Sequence, residues 1–290
     1  MLWKMELKRN LFNLKSLIII VILIILGITN AFFLSKEKKE YIKTYNANYE
    51  DVDQARMLEL INNYNGIEFG LEFMLSSDFG DIYIIILFLF CGIFLSSQIR
   101  ELIDSGQENF LLSRTTYKQH ISSVILAQSV YIFTIVFITM IINLVINYIV
   151  GGIGSSLSTI GNYTINLPLF IVISIFQILI ISVSTSLINA ICLLSCTYIH
   201  KKIIIQLLPF LAFTIAPMFI SSTIGNLINI IGEITAQFVP FKNLKHLYWL
   251  FQSEFDIAEI ILALIPFIVY TIVFVLLYRN NVKHYSEDCI

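Results

Sequence analysis

Residues 167–199 read LPLFIVISIFQILIISVSTSLINAICLLSCTYI, and this run contains no Asp, Glu, Lys, Arg or His. An apolar run of about 18 or more residues is long enough to cross a lipid bilayer as a helix. These five residue types are in fact missing from the whole stretch between positions 121 and 199. Because a charge at the centre of a membrane helix costs about 2.5–3.5 kcal/mol to insert, the stretch predicts two spans. The polar turn GGIGSSLSTIGNYTINLP (151–168) joins them, and we expect it to be flexible.

The composition of the whole chain agrees with a membrane protein. Of its 290 residues, 57% are hydrophobic and only 13% are charged, whereas roughly 25% of residues are charged in a soluble domain. No basic patch with interleaved aromatic residues indicates nucleic-acid binding. The four cysteines show no CxxC or Cys/His spacing, so we expect small buried hydrophobic residues rather than a metal site or disulfides.

Six segments are apolar enough to span, which predicts an all-α, polytopic integral membrane protein with a single transmembrane domain over residues 1–290. They are approximately Leu17–Leu34, Ile82–Ile99, Ile121–Val150, Leu167–Ile199, Ile203–Ile231 and Ile257–Tyr278. The third to fifth exceed a bilayer core of about 30 Å, so they must tilt, bend or project beyond the lipid. Pro209 and Pro217 predict a kink in the fifth, because proline removes a backbone donor and clashes with the preceding turn.

The distribution of lysine and arginine predicts the orientation. With the N-terminus inside, the segments facing the cytoplasm carry eleven of these residues and the outer segments carry seven, spread over longer loops. This moderate bias favours both termini in the cytoplasm. The cluster Lys36–Lys43 opposes it, but Glu37 and Glu40 are interleaved there.

Three segments besides the spans are expected to face water or the membrane interface. Residues 1–15 place Trp3, Leu7, Leu11 and Leu14 at helical spacing against a basic face, which predicts an interfacial helix. Residues 36–81 are expected to form an acidic extracellular loop, with a helix over YEDVDQARMLELINNY (49–64). Residues 232–256 are rich in aromatics and predict an extracellular amphipathic or re-entrant segment before the last span.

The chain offers no constellation typical of an enzyme. It lacks G-x-x-x-x-G-K-[ST] and H-E-x-x-H, and its four histidines have no metal-ligand spacing. The glycine-rich turn lacks the P-loop lysine. A serine nucleophile would need a neighbouring base, and the apolar spans offer none. We therefore expect no catalytic residues, no metal and no cofactor bound by this chain.

The spans carry uncharged polar residues instead. The favoured explanation for such residues is interhelical hydrogen bonding. The alternative is a weakly polar pathway lining, for which the candidates are Asn143, Asn147, Gln177, Asn189, Asn226 and Asn229. A self-sufficient carrier usually keeps an ionisable residue in the membrane to couple an ion. Its absence from the central spans indicates an external energy source.

The polar stretch RELIDSGQENFLLSRTTYKQH (100–120) lies between the second and third spans. Residues 100–105 can extend the second helix, and Gly106 is suited to end it. Residues 107–113 can then form a short helix with an apolar patch at Phe110–Leu112. Such an element, attached to two membrane helices, would act as a lever on both.

This stretch resembles the first intracellular loop of ABC-2-type ABC-transporter permeases, in which an acidic residue precedes a glycine and a short helix with paired leucines follows. Thr115 stands where that family often has proline, and the outer loop 36–81 is longer than in its smallest members. The family has six spans, cytoplasmic termini, an N-terminal interfacial helix and a re-entrant or amphipathic segment before the last span. The candidate ATPase-coupling residues that the resemblance implies are Glu101, Gly106, Gln107, Glu108, Asn109, Phe110, Leu111, Leu112, Ser113 and Arg114.

The resemblance implies a permease subunit in a bacterial cytoplasmic membrane. It would pair with a second, identical or different, permease subunit and with two copies of an ATP-binding subunit that holds ATP and Mg. The apolar spans favour a hydrophobic or amphipathic cargo, such as an antimicrobial or toxin peptide in an export or immunity system. Two alternatives stay open at this point: a membrane scaffold or receptor without transport, and a self-sufficient carrier.

Overall fold

The computed structural model describes residues 2–11, 13–48, 65–75, 78–106, 116–152, 158–160, 163–199, 201–225, 238 and 257–287. The α-helices in these ranges are Leu2–Leu11, Leu14–Asn48, Gly66–Leu75, Asp78–Phe90, Gln98–Asp104, Tyr117–Gly151, Leu167–Leu194, Lys202–Phe210, Ala216–Gly225 and Ile257–Glu287. Two π-helical turns (Cys91–Ser96 and Leu211–Ile215) and a 3-10 turn (Ser195–Thr197) extend or join some of these α-helices into longer helical segments.

Six helical segments are long and apolar enough to cross a membrane, which confirms the prediction of a multi-pass helical protein. We name the six candidate spans TM1 to TM6 in chain order: Leu14–Thr44, Asp78–Asp104, Tyr117–Gly151, Leu167–Thr197, Lys202–Thr223 and Leu264–Lys283.

Local sequence explains where the two long central spans begin. Thr116 precedes TM3, and its hydroxyl accepts a hydrogen bond from the backbone N–H of Gln119 (3.3 Å). Asn166 plays the same part for TM4, accepting from the backbone N–H of Leu169 (3.0 Å), with Pro168 in the first turn. Both are the capping residues that satisfy free N–H groups at a helix start. In TM5, the π-helical turn Leu211–Ile215 separates Pro209 from Pro217, which agrees with the predicted irregularity.

TM3 is the central helix of the bundle. It packs against TM1, TM4, the amino-terminal helix (Leu2–Leu11) and the short helix Gly66–Leu75, with a smaller contact to TM6. TM2 packs against TM1, TM4 and TM5, and TM6 lies mainly on TM4. We call the end where TM1, TM3 and TM5 begin the N-terminal end of the bundle. The main apolar core extends over TM1 to TM4, and a smaller cluster lies near the N-terminal end around Ile121 and Ile205.

The region between TM1 and TM2 differs from the water-facing loop that the sequence predicts over 36–81. The helix of TM1 continues to Asn48, and TM2 begins at Asp78. Between them, GIEFGLEFML (66–75) forms a helix in which Ile67, Phe69 and Leu71 are 0–1% exposed. A Cβ at Gly66 would lie 2.2 Å from the carbonyl oxygen of Tyr148, so glycine permits this helix to touch TM3 backbone to backbone. The predicted helix over 49–64 lies outside the described residues.

The turn between TM3 and TM4 contains a short antiparallel hairpin instead of a purely irregular turn. Its strands are Ser158–Ile160 and Tyr163–Ile165, and Thr159 pairs with Thr164. The β-branched residues of STI and YTI favour this conformation. The aromatic segment 232–256, predicted to be amphipathic or re-entrant, lies outside the described residues except for position 238.

Candidate functional site at the N-terminal end of the bundle

The first part of the predicted coupling segment belongs to the TM2 helix. Helix Gln98–Asp104 is followed by Ser105 and by Gly106, whose φ of +69° is the left-handed conformation that glycine adopts easily. The backbone N–H of Gly106 donates to the carbonyl of Ile103 (3.0 Å). The helix therefore ends at the glycine, as the sequence predicts. Residues Gln107–Arg114, which complete the predicted coupling helix, lie outside the described residues.

Charged residues at the end of TM2 connect it to TM5. The Lys202 ammonium lies 2.9 Å from a carboxylate oxygen of Glu101, and Arg100 lies 2.8 Å from Asp104 one turn along the same helix. The side chains of Lys202 and Glu101 are 47% and 52% exposed. Exposed ion pairs of this kind contribute at most about 1 kcal/mol, so the pair aligns the two helix ends more than it stabilises the fold.

A chain of side-chain amides below these ion pairs connects four elements. The Gln98 amide donates to the Asn10 amide oxygen of the amino-terminal helix (3.0 Å), and Gln128 of TM3 donates to Gln98 (2.9 Å). Asn189 of TM4 then donates to Gln128 (2.7 Å) and accepts from the Ser96 hydroxyl of TM2 (3.1 Å). The amino-terminal helix, TM2, TM3 and TM4 are thus held by a continuous polar network at this end.

The π-helical turn Cys91–Ser96 supplies backbone acceptors to this network. A π-turn interrupts the regular ladder of hydrogen bonds, and such turns are frequent at functional positions. The Leu95 carbonyl accepts from the Gln128 amide (3.1 Å), the Cys91 carbonyl from the Ser96 hydroxyl (3.3 Å) and the Ser96 carbonyl from the Cys196 thiol (3.0 Å). Three neighbouring side chains therefore bind the carbonyls of one irregular segment of TM2.

The π-turn is also the place where TM2 meets TM5. A Cβ at Gly92 would lie 2.0 Å from the backbone carbonyl oxygen of Gln206, and the Gln206 amide donates to the Ile93 carbonyl (3.4 Å). Gly92 is buried. The absence of a side chain at this position permits the backbones of the two spans to approach closely.

The predicted pathway residues make interhelical hydrogen bonds where the structure describes them. Asn143 donates to the Leu23 carbonyl of TM1 (3.0 Å), and Asn147 donates to the Gly27 carbonyl (3.3 Å) and accepts from Asn30 (3.0 Å). Both asparagines are fully buried. Asn189 belongs to the amide network, Gln177 is 2% exposed, and Asn226 and Asn229 lie outside the described residues. Asn143 and Asn147 thus connect TM1 to TM3 by interhelical hydrogen bonds, which agrees with the first of the two explanations offered for them.

Three amides of these contacts that lie near span ends, Asn10, Gln98 and Asn281, are not among the predicted pathway residues, and neither is Gln128 of TM3. Asn10 stands in a basic helix and Gln98 at the edge of a span, so neither looked like an intramembrane polar residue. Asn281 of TM6 donates to the Leu194 carbonyl (3.2 Å) and accepts from the Tyr117 hydroxyl (3.3 Å). An asparagine or glutamine within a turn of a span end is the signal that could have found all three.

An apolar groove lies between TM3 and TM4, away from the N-terminal end. It has a volume of about 410 Å³ and is lined almost entirely by apolar side chains, among them Phe133, Phe137, Leu144, Tyr148 and Phe170. Phe137 and Val145 expose 43% and 50% of their surface at its edge. Such a surface accepts lipid chains or another apolar molecule.

Within the described ranges, no cluster of three or more His, Cys, Asp or Glu residues is arranged to hold a metal ion. Cys91, Cys192 and Cys196 are buried and are not in disulfides.

Comparison with known proteins gives no relative: no protein-family model matches the chain, and neither a curated protein nor a solved structure does so.

Proposed function

We propose that this chain is the transmembrane permease subunit of an ATP-driven exporter of the ABC-2 type. The proposal rests on the resemblance of residues 100–120 to the first intracellular loop of such permeases, together with six candidate spans. The chain has no ATP-binding motif of its own, so a separate ATP-binding subunit, present in two copies, supplies the energy.

One observation carries the proposal furthest. The helix that leads into the coupling segment is attached to three other spans: Glu101 to Lys202 of TM5, and Gln98 through Gln128 and Asn189 to TM3 and TM4. A displacement of the segment after Gly106 would therefore act on TM2 to TM5 together. This connection is what a subunit needs in order to convert the movement of a partner into a rearrangement of its spans.

The cargo is proposed from the chemistry of the surface. The groove between TM3 and TM4 is apolar, and residues 121–199, which form most of these two spans, contain no Asp, Glu, Lys, Arg or His. A hydrophobic or amphipathic molecule, such as an antimicrobial or toxin peptide, suits this surface better than an ion or a sugar phosphate. In this proposal the subunit lies in a bacterial cytoplasmic membrane with both termini inside, paired with a second identical or different permease.

The test is a double substitution of Phe110→Asp and Leu111→Asp in the full-length protein. We expect it to abolish copurification of an ATP-binding protein from mild detergent and to lower export in intact cells at least tenfold, because charge replaces the predicted apolar contact. The control, Thr44→Asp, places a charge on an exposed residue at the opposite end of TM1 and is expected to retain both.

Unchanged copurification and export in the double variant would contradict the proposal. Export that persists after ATP depletion would favour a self-sufficient carrier. If the natural protein copurified no ATPase and its deletion left export unchanged, a scaffold or receptor would be favoured.

A further inference from the structure

A second cleft lies at the N-terminal end of the bundle, between the start of TM1 and TM2. It has a volume of about 420 Å³. Asn10 of the amino-terminal helix and Asn13 and Lys15 near the start of TM1 line one side, and Ile93, Phe94 and Glu101 of TM2 line the other. Its lining is polar at the start of TM1 and apolar along one side of TM2. This combination resembles the boundary between lipid headgroups and acyl chains.

The polar part of the cleft has a buried hydrogen-bond donor without an acceptor. Asn10 is 7% exposed, and its side-chain oxygen accepts from Gln98 (3.0 Å). Its side-chain Nδ2 has no hydrogen-bond partner among the described residues. A buried donor left unsatisfied is destabilising, so an acceptor atom bound in the cleft would recover this free energy.

The side-chain ammonium of Lys15 places a positive charge in the same cleft. The Lys15 ammonium is 4.9 Å from the centroid of the Phe94 ring, a cation–π contact that holds the charge beside the cleft. The backbone N–H of Lys15 donates to the Asn13 side-chain oxygen (3.2 Å), which fixes the turn that carries the lysine. The carboxylate of Glu101 also lines the cleft, but Lys202 lies 2.9 Å from it and balances its charge. The remaining charge therefore favours an anion.

The apolar part distinguishes an anchored ligand from a free one. Ile93 is 40% exposed, and Leu17 and Ile18, just beyond the cleft on TM1, are 60% and 49% exposed. An acyl chain leaving the cleft would continue along this apolar surface. A free anion would use only the polar part.

We propose that this cleft binds the phosphodiester headgroup of an anionic phospholipid, with the phosphate at Lys15 and Asn10 and the first methylene groups against Phe94 and Ile93. Basic sites between membrane helices are known to favour anionic lipid headgroups. The bound lipid would join the amino-terminal helix to TM2 next to the amide network. The proposal requires a membrane protein but does not depend on export or on an ATPase.

The test uses the purified, delipidated full-length protein in detergent and native mass spectrometry. Phosphatidylglycerol, phosphatidylcholine with the same acyl chains and inorganic phosphate are added separately. We expect one phosphatidylglycerol to be retained per chain, with a rise in the thermal midpoint. Lys15→Ala is expected to weaken retention about tenfold, the effect of one charge-assisted hydrogen bond. Because Lys15 is exposed, the variant should still fold, which its unliganded midpoint verifies.

Lys118→Ala is the matched control, since Lys118 is an exposed lysine in the first turn of TM3 and does not line the cleft. It is expected to retain phosphatidylglycerol like the natural protein. Equal retention by the Lys15→Ala variant would overturn the proposal, as would equal binding of phosphatidylcholine. If inorganic phosphate raised the thermal midpoint as much as phosphatidylglycerol does, the cleft would be a free-anion site and the lipid assignment would be overturned. All of these readouts are independent of transport, so their failure leaves the proposed function standing.

Discussion

At the scale of single residues, buried amides connect the helices of this protein. Asn143 and Asn147 lie one turn apart on TM3 and donate to the carbonyls of Leu23 and Gly27, also one turn apart on TM1. Each such bond contributes only about 0.6 kcal/mol on average in a membrane. Their geometric effect is larger, because a one-residue slip between TM1 and TM3 would leave several amides unsatisfied. The asparagines therefore fix the register of the two spans.

Glu72 gives a prediction about pH at this scale. It is half-buried in the short helix Gly66–Leu75, outside the candidate spans, and its pKa lies above the ordinary value of 4.5 because of burial, with further contributions from the negative charges of Glu68 and Glu37. A carboxyl group with a raised folded-state pKa destabilises the fold once it is ionised. The stability it contributes is complete below 4.5 and is lost as pH rises through the folded-state pKa.

We therefore expect Glu72→Gln to raise the thermal midpoint in detergent at pH 7 and to lose this advantage as the pH falls to about 4. Unfolding curves across this range measure the difference. Glu40→Gln is the control, since Glu40 is exposed and lies 3.6 Å from Lys36, and it should not reproduce the gain. A Glu72→Gln midpoint that matches or falls below the natural protein at pH 7 would be contrary to this account.

At the scale of elements, the two π-helical turns mark where TM2 and TM5 depart from regular helices. The turn in TM2 exposes carbonyls that Gln128, Ser96 and Cys196 bind, and it brings Gly92 against the backbone of TM5. The turn in TM5 follows Pro209, which removes a backbone donor. The irregular segment of TM2 is thus held by side chains as well as by its own backbone ladder.

Gly92→Ala tests the contact between these elements. Its Cβ would meet a backbone atom, which cannot move away by a rotamer change, so TM5 must separate from TM2. Overpacking of this kind costs about 1–3 kcal/mol and exceeds the gain of about 1 kcal/mol in helix propensity. We expect a lower thermal midpoint. We also expect weaker cross-linking between a pair of cysteines introduced into TM2 and TM5.

Ile93→Ala, which truncates a side chain that is 40% exposed at the next position, should leave the cross-linking intact. A Gly92→Ala variant as stable and as readily cross-linked as the natural protein would show that the close approach is not needed.

At the scale of the whole molecule, the two ends of the bundle have different chemistry. The N-terminal end contains the ion pair of Glu101 with Lys202, the amide network and the polar cleft. The opposite end contains the buried helix Gly66–Leu75 and the close contacts of Gly66 and Gly151. If the proposed function holds, the N-terminal end is the one that a cytoplasmic ATP-binding subunit reaches.

The sidedness of the molecule can be measured directly. A single cysteine introduced as Asn109→Cys, in a background in which the four natural cysteines are replaced, should resist a membrane-impermeant maleimide in intact cells and react after permeabilisation. Thr44→Cys, on an exposed residue at the opposite end of TM1, should react in intact cells. Labelling of position 109 from outside would place the coupling segment on the wrong side and contradict the proposed function.

The sequence by itself determined the six spans, because a bilayer imposes both the length and the apolarity of each crossing, and these are local properties. It also determined the end of TM2 at Gly106, a property of glycine at a helix terminus. The tertiary structure alone decided that the apolar residues of 66–74 are buried, because burial of a short helix depends on the space that TM1, TM3 and TM4 leave for it. It also decided the partners of the amides, since hydrogen bonds between residues as distant as Asn10 and Gln98, or Gln128 and Asn189, depend on how helices meet and not on their composition.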